Sequence, residues 1–330
     1  MAAIRTMLKK ILFSIYLLVC AEIIFRIIAT VTIVPDVELL SYATTMVRKT
    51  NRHEMKFEHL PGARKIIMGH EIALNDQGHR GESLFESKRS SEKRIYFMGN
   101  SITLGWGVSQ DETFAQIAAQ ELNVSTSKKR ITNVVAVNAG VANYNTIQMA
   151  ALFNKDLEVI KPDAVVLQYF IRDVEPKAED DNAIIKYSYF AAFLYRHILN
   201  LWLGSGRTSD GDPYSVLYQV GQKDWEATKM VIQRLAQILN ERRTPFFIVI
   251  IPDLRDPSLK GRFGVHYDKI KKFLESVEVK VIDPRREIAL YLRDKPKTGW
   301  VHPADPHPNP KIHSIIGKTV ARHLSKLPSW

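Results

Sequence analysis

A serine stands on a glycine-bounded turn where an apolar run ends: Gly99-Asn100-Ser101-Ile102-Thr103-Leu104-Gly105-Trp106-Gly107 follows Arg94 to Met98. Such a turn can expose the Ser101 hydroxyl and leave its backbone N–H pointing at a developing oxyanion. A lone serine there is also an ordinary helix N-cap, so the rest of the chain has to supply the chemistry. Two phosphate-binding readings fail on spacing. Trp106 follows Gly105 where a phosphate loop would have Lys, and Gly105-x-Gly107 has no third glycine at the dinucleotide position. Near the C-terminus His302, Asp305, His307 and His313 fall within a short stretch. Pro303, Pro306 and Pro308 keep it extended and His313 belongs to the helix that follows, so no ligand pair has the one-face helical spacing of a zinc motif. No metal and no cofactor is expected. His302 reads as a polar loop residue and His313 as a helix-surface group or a support for its neighbours.

The elements that must position these residues are legible as alternating patterns. Arg94 to Met98, Asn133 to Val137, Ala164 to Phe170, Phe246 to Ile251 and Val279 to Ile282 are short and nearly continuously apolar, as strands buried on both faces of a parallel sheet are. Thr113 to Leu122, Thr146 to Ile160, Trp225 to Arg242, Tyr267 to Val277 and Lys311 to Leu324 have helical spacing. The alternation implies an α/β class: a three-layer α/β/α, flavodoxin-like fold on a five-stranded parallel sheet. In such sheets functional groups gather at the carboxyl ends of the strands. There the sequence places Ser101, Asn138-Ala139-Gly140-Val141 and Ile171-Arg172-Asp173, with Asp305-Pro306-His307-Pro308-Asn309 after the fifth strand and its short helix.

Taken together these segments resemble the SGNH hydrolases, also called GDSL esterases and lipases. The family's Gly-Asp-Ser block is similar to Gly99-Asn100-Ser101, its second-block glycine to Gly140, and its last block to Asp305-Pro306-His307. Asn75-Asp76-Gln77-Gly78-His79-Arg80-Gly81 and the apolar N-terminus with Glu22 and Arg26 resemble a bacterial membrane-anchored subgroup. The resemblance implies Ser101 as nucleophile, His307 as the base it needs near neutrality, and Asp305 orienting the imidazole. Many members carry the acid three residues before the histidine, where this chain has Ala304. The oxyanion would be met by the N–H groups of Ser101 and Gly140 and by a side-chain amide of the third block. At that place this chain has Arg172 before Asp173, and a guanidinium there could donate to the oxyanion or block the site. Asn100 in place of the family's Asp keeps an acceptor that can brace the turn.

The N-terminus sets the location. Arg5, Lys9 and Lys10 precede an apolar run from Ile11 to Val34 broken only by Glu22 and Arg26, which is long enough to cross a bilayer; the two charges, four apart, share one helical face. Basic residues on the short side would hold it in the cytoplasm and send the rest outward, giving a single-pass protein of the bacterial inner membrane with its domain on the periplasmic or extracytoplasmic side. A cleaved signal peptide, with Val19-Cys20-Ala21 as the cleavage region, is the rival reading. Cys20 is the only cysteine, which excludes a disulfide framework.

The expected organisation is an anchor over 1–34, an extended prelude over 35–93, and the catalytic domain over 94–330 with a helical insertion at about 176–223. The apolar stretch Ile184 to Leu203 in that insertion reads as a packing helix, with a lid or a membrane-surface contact as alternatives. A net charge of +11 is spread through the chain without a nucleic-acid motif, so nucleic acid is not expected as a partner. The expected partners are an acylated envelope glycan or lipid and the membrane. A catalytically impaired glycan-binding or assembly protein is the alternative, motivated by Arg172. A flavodoxin-like nucleotide binder would fit the sheet but lacks a phosphate loop.

Overall fold

The structure is a computed structural model, and it describes residues 2–84, 88–126, 133–176, 187–195, 198, 212–293 and 295–328. The chain divides into two compact units: Met1–Thr45 with Glu179–Arg207, and Met46–Ala178 with Thr208–Trp330. The first contains α1 (Ala2–Val31) and α2 (Pro35–Thr45), and a short helix, α6, over 189–195. Over Ala3–Val31, α1 is long and apolar enough to cross a membrane. Of the expected insertion, 177–186, 196–197 and 199–211 lie outside the described residues.

The second unit is an α/β fold around a five-stranded, all-parallel sheet in the order β6-β5-β7-β8-β9. The strands are β5 (Glu92–Gly99), β6 (Asn133–Gly140), β7 (Ala164–Phe170), β8 (Phe246–Ile251) and β9 (Lys280–Ile282). Their continuous apolar character has a direct cause. Side chains alternate across the sheet and both faces are covered: Tyr96 and Met98 enter one core with Phe153, Ile232 and Ile270, while Ile95 and Phe97 enter the other with Phe114, Ile312 and Ile316. The first core lies under α5 (Thr146–Ile160), α7 (Lys223–Glu241) and α8 (Gly264–Ser276). The second lies under α4 (Phe114–Thr126), α9 (Arg285–Leu292) and α10 (Pro310–Leu324).

The segment expected to be an extended prelude is folded. It contains α2 and two antiparallel pairs, β1 (Val47–Lys49) with β2 (Phe57–His59) and β3 (Arg64–Ile67) with β4 (His70–Ala73). Its turn residues hid this, because Gly69 and Gly78 lie at positive φ and close tight turns, between β3 and β4 and within the Leu74–Arg80 bridge, rather than opening a linker. The stretch that carries His307 is a hairpin as well, β10 (Trp300–His302) against β11 (Asp305–Pro308).

Candidate active site

The turn after β5 is a single helical turn, α3 (Ser101–Leu104), started by an asparagine and stopped by a glycine. Asn100 Oδ1 accepts from Ile102 N at 2.8 Å, and Gly105 ends the turn in the left-handed region at φ 86°. Asn100 is fastened from its other end too. Its Nδ2 donates to Asp173 Oδ1 at 2.7 Å, and buried Asp173 also accepts from Gln168 Nε2 at 3.2 Å and Phe170 N at 2.8 Å. An aspartate at position 100 would set two carboxylates against each other there, so the asparagine suits the acid it faces. The register Gly99↔Gly140 brings the ends of β5 and β6 side by side. A Cβ on Gly140 would stand 2.1 Å from Leu104 N, so this position must be glycine for α3 to lie against β6.

Ser101, His307 and Asp305 meet in one chain of hydrogen bonds. Asp305 Oδ1 lies 2.5 Å from His307 Nδ1, and since an ionised carboxylate only accepts, Nδ1 carries the proton. That leaves the Nε2 lone pair to accept from the Ser101 hydroxyl, 2.8 Å away. Burial opposes ionisation of Asp305, but His307 beside it and the hydrogen bonds it accepts outweigh that and hold its carboxyl below the usual range. One of those bonds was not foreseen: the Trp106 indole Nε1–H donates to Asp305 Oδ2 at 3.1 Å, with the buried ring 6.0 Å from the imidazole. The acid two residues before the histidine therefore reaches it, because β11 is a bent edge strand whose Asp305 also accepts from His307 N at 3.1 Å.

The three expected oxyanion donors are placed differently from one another. The Ser101 N–H begins α3 and has no acceptor among the described residues. The Gly140 N–H donates to Asn138 Oδ1 at 3.1 Å. Arg172 is turned to its own loop, its Nε 3.0 Å from Glu175 Oε1 and its Nη2 2.9 Å from Oε2, with the side chain 51% exposed. In this conformation its charge is already met by Glu175.

Arg80 is the positioning residue that sequence reasoning did not single out. It is buried, and its Nη1 donates to the carbonyls of Leu104 (2.8 Å) and Gly105 (2.7 Å), while Nη2 donates to those of Val108 (2.9 Å) and Glu71 (2.9 Å). Three of these are the carbonyls of the last residue of α3, of its cap and of the loop carrying Trp106, and the fourth is in β4, so one guanidinium ties the turn behind Ser101 to that hairpin. The residue type carried no signal of this, because a charged residue in a turn such as Asn75 to Gly81, which also holds Asp76, reads as solvated. Among the other histidines, His302 Nδ1 accepts from Ala304 N at 3.2 Å in the hairpin bend. His313, read as a helix-surface or supporting group, is fully buried: its Nδ1 accepts from Phe114 N at 3.1 Å, and burial pushes it down to about 3. The stripe of α10 that packs on α4 carries it inward. No cluster of three or more metal-ligating side chains occurs among the described residues.

No protein-family model and no curated protein matches the chain. Several solved structures are similar to it. A protein assigned to the lipolytic G-D-S-L family from Desulfitobacterium hafniense DCB-2 is 13% identical, with a TM-score of 0.41 over 70% of this chain and 98% of that one. Axe2, an acetylxylan esterase from Geobacillus stearothermophilus, is 14% identical, with a TM-score of 0.45 over 71% of this chain and 95% of that one. LAE5, an alpha/beta hydrolase enzyme from the metagenome of Lake Arreo, is 16% identical, with a TM-score of 0.45 over 69% and 92%.

Proposed function

We propose that the chain is a membrane-anchored serine esterase or O-acyltransferase of the SGNH kind, working outside the cytoplasm of a bacterium on acyl esters, acetyl above all, of envelope glycans or lipids. The observation that carries this reading is the chain Ser101 Oγ–His307 Nε2 at 2.8 Å and His307 Nδ1–Asp305 Oδ1 at 2.5 Å, set at the carboxyl edge of the sheet. In the proposed reaction His307 Nε2 takes the hydroxyl proton as Ser101 Oγ bonds to the ester carbonyl carbon. The tetrahedral oxyanion collapses, the C–O bond to the alcohol breaks, and the departing oxygen takes the proton from Nε2. Water or a sugar hydroxyl then gives its proton to His307 and attacks the acyl-serine, which returns Ser101 and releases acid or transferred ester. Asp305 stays ionised throughout and balances the imidazolium. Export follows from Arg5, Lys9 and Lys10 ahead of α1.

The full chain in detergent is expected to hydrolyse short acyl esters, with Ser101→Ala and His307→Ala each removing turnover. Wild-type turnover in either variant would sink the reading. A second reading, a glycan-binding protein that has lost the chemistry, draws on the placement of Arg172 with Glu175 and of the Gly140 N–H with Asn138. The variant Arg172→Asn separates the two. If only an oxyanion amide is missing, it raises esterase activity from near zero by on the order of a hundredfold. In a working enzyme it changes the rate little.

A further inference from the structure

The unit built from α1, α2 and the inserted segment carries an arrangement that ester chemistry does not use. Along α1 nearly every described side chain is exposed, and the exceptions are Cys20, Ala21, Glu22, Phe25 and Ala29. Ala21, Glu22, Phe25 and Ala29, at three- and four-residue spacing, make one face with Cys20 to its side, and its small residues let a second element approach closely. The element that covers it is α6. Phe25 packs on Phe190 and Phe193, with ring centroids 5.5 and 4.8 Å apart. The Glu22 carboxylate accepts from Ser188 Oγ at 2.8 Å, Tyr189 N at 3.1 Å and Phe190 N at 3.0 Å, so it satisfies the first N–H groups of α6. Arg26 donates to Glu22 at 2.7 Å and to the Tyr187 carbonyl at 2.9 Å, with its guanidinium 4.6 Å from the Tyr189 ring centre. The two charges that break the apolar run are thus both met by the inserted segment.

Depth follows from helix geometry. Glu22 stands eleven residues beyond Ile11, where the apolar run begins, or about 17 Å at a rise of about 1.5 Å per residue, near the middle of a hydrocarbon layer about 30 Å thick. Whatever touches Glu22 and Arg26 lies at that depth. The segment is suited to it: 187–195, between Lys186 and Arg196, holds no charged residue, and Leu194 and Tyr195 turn apolar surface outward, 42% and 40% exposed.

We propose that the inserted segment 187–195 is a second membrane-embedded element, docked on α1 inside the bilayer, whose outer surface is covered by lipid acyl chains. It makes the Glu22–Arg26 pair tolerable in the span, as buried polar groups there require a partner. The inference rests on α1 being a span, and the test reports on that separately. The full chain with Cys20→Ala is reconstituted in phosphatidylcholine–phosphatidylglycerol vesicles, with a single fluorophore on Leu194→Cys, on Leu12→Cys in α1, or on exposed Val220→Cys in the other unit. Nitroxide-labelled lipid and aqueous iodide are the quenchers.

Leu194 and Leu12 are expected to be quenched by the lipid and shielded from iodide, with Val220 the reverse. Glu22→Ala is expected to raise iodide quenching at Leu194 several-fold and leave Leu12 unchanged. Iodide quenching at Leu194 equal to that at Val220, with Leu12 still shielded, would overturn the inference alone. Iodide access at Leu12 would overturn the span as well. A Leu194 probe that neither quencher reaches would mean that protein, not lipid, covers the surface, and would also overturn it.

Discussion

At the scale of single residues, the site depends on short polar side chains whose partners are as specific as they are. Asn100 joins two tasks, capping α3 and bonding Asp173, and Asp305 gives one oxygen to His307 and the other to Trp106. Trp106 is the sharper test of this pattern, since Trp106→Phe keeps a ring and deletes only the N–H. The buried carboxylate then loses one donor, which lowers its precision against the imidazole. A hydrogen bond to a charged group is worth enough that kcat should fall roughly tenfold or more, with KM nearly unchanged. Steady-state rates check this, and an unchanged kcat would show that the indole bond does nothing for the placement of Asp305.

At the scale of elements, the sheet was readable because each of its strands is apolar on both faces. Ala164–Phe170 and Phe246–Ile251 coincide with their sequence patterns, and helix 146–160 does so because Asn145 and Gln148 form a capping box at its start. Ser101, His307 and Asp305 could be picked out because each sits beside turn-forming residues at the end of an element. The support behind them was not legible. Arg80 lies twenty-one residues before Ser101, in hairpins too short for periodicity to register, and what it grips is backbone carbonyls, which leave no trace in side-chain identity. Trp106 looked only like an interruption of a glycine pattern. Arg80→Ala would remove a donor from four carbonyls, of which Gly105 O keeps Val108 N while the buried Leu104 and Val108 carbonyls lose the guanidinium. At about 1–3 kcal/mol for each buried group left unsatisfied, the melting temperature should drop by many degrees. Arg80→Lys keeps the charge but not the fork, so it should fold while Ser101 reacts more slowly. Acylation of Ser101 by an activated ester, timed in the folded Lys variant, checks this. A wild-type rate there would reduce Arg80 to a stabilising residue.

At the scale of the whole molecule, acid should loosen the α/β unit before its carboxylates titrate. His59 and His313 are both buried, and burial pushes them from 6.5 down to about 4 and about 3. Below 6.5 the unfolded chain takes up protons that the folded chain refuses, so stability present above that pH is lost as pH falls toward those values. By about pH 4.5 each histidine should have cost on the order of 3 kcal/mol. Thermal melts between pH 7 and about pH 4.5 should show a steady decline, and His313→Gln should remove about half of it. A melting temperature that stays flat over this range would contradict the buried, neutral state of both residues.

The central claim, that Ser101 is a nucleophile activated by His307 and Asp305, is tested most directly by exposing the intact chain to a fluorophosphonate probe and locating the labelled residue by mass spectrometry. The expected result is one label, on Ser101, absent from Ser101→Ala and strongly slowed in His307→Ala. A label on another serine, labelling that survives Ser101→Ala, or a folded wild-type chain that takes no label at all would contradict it.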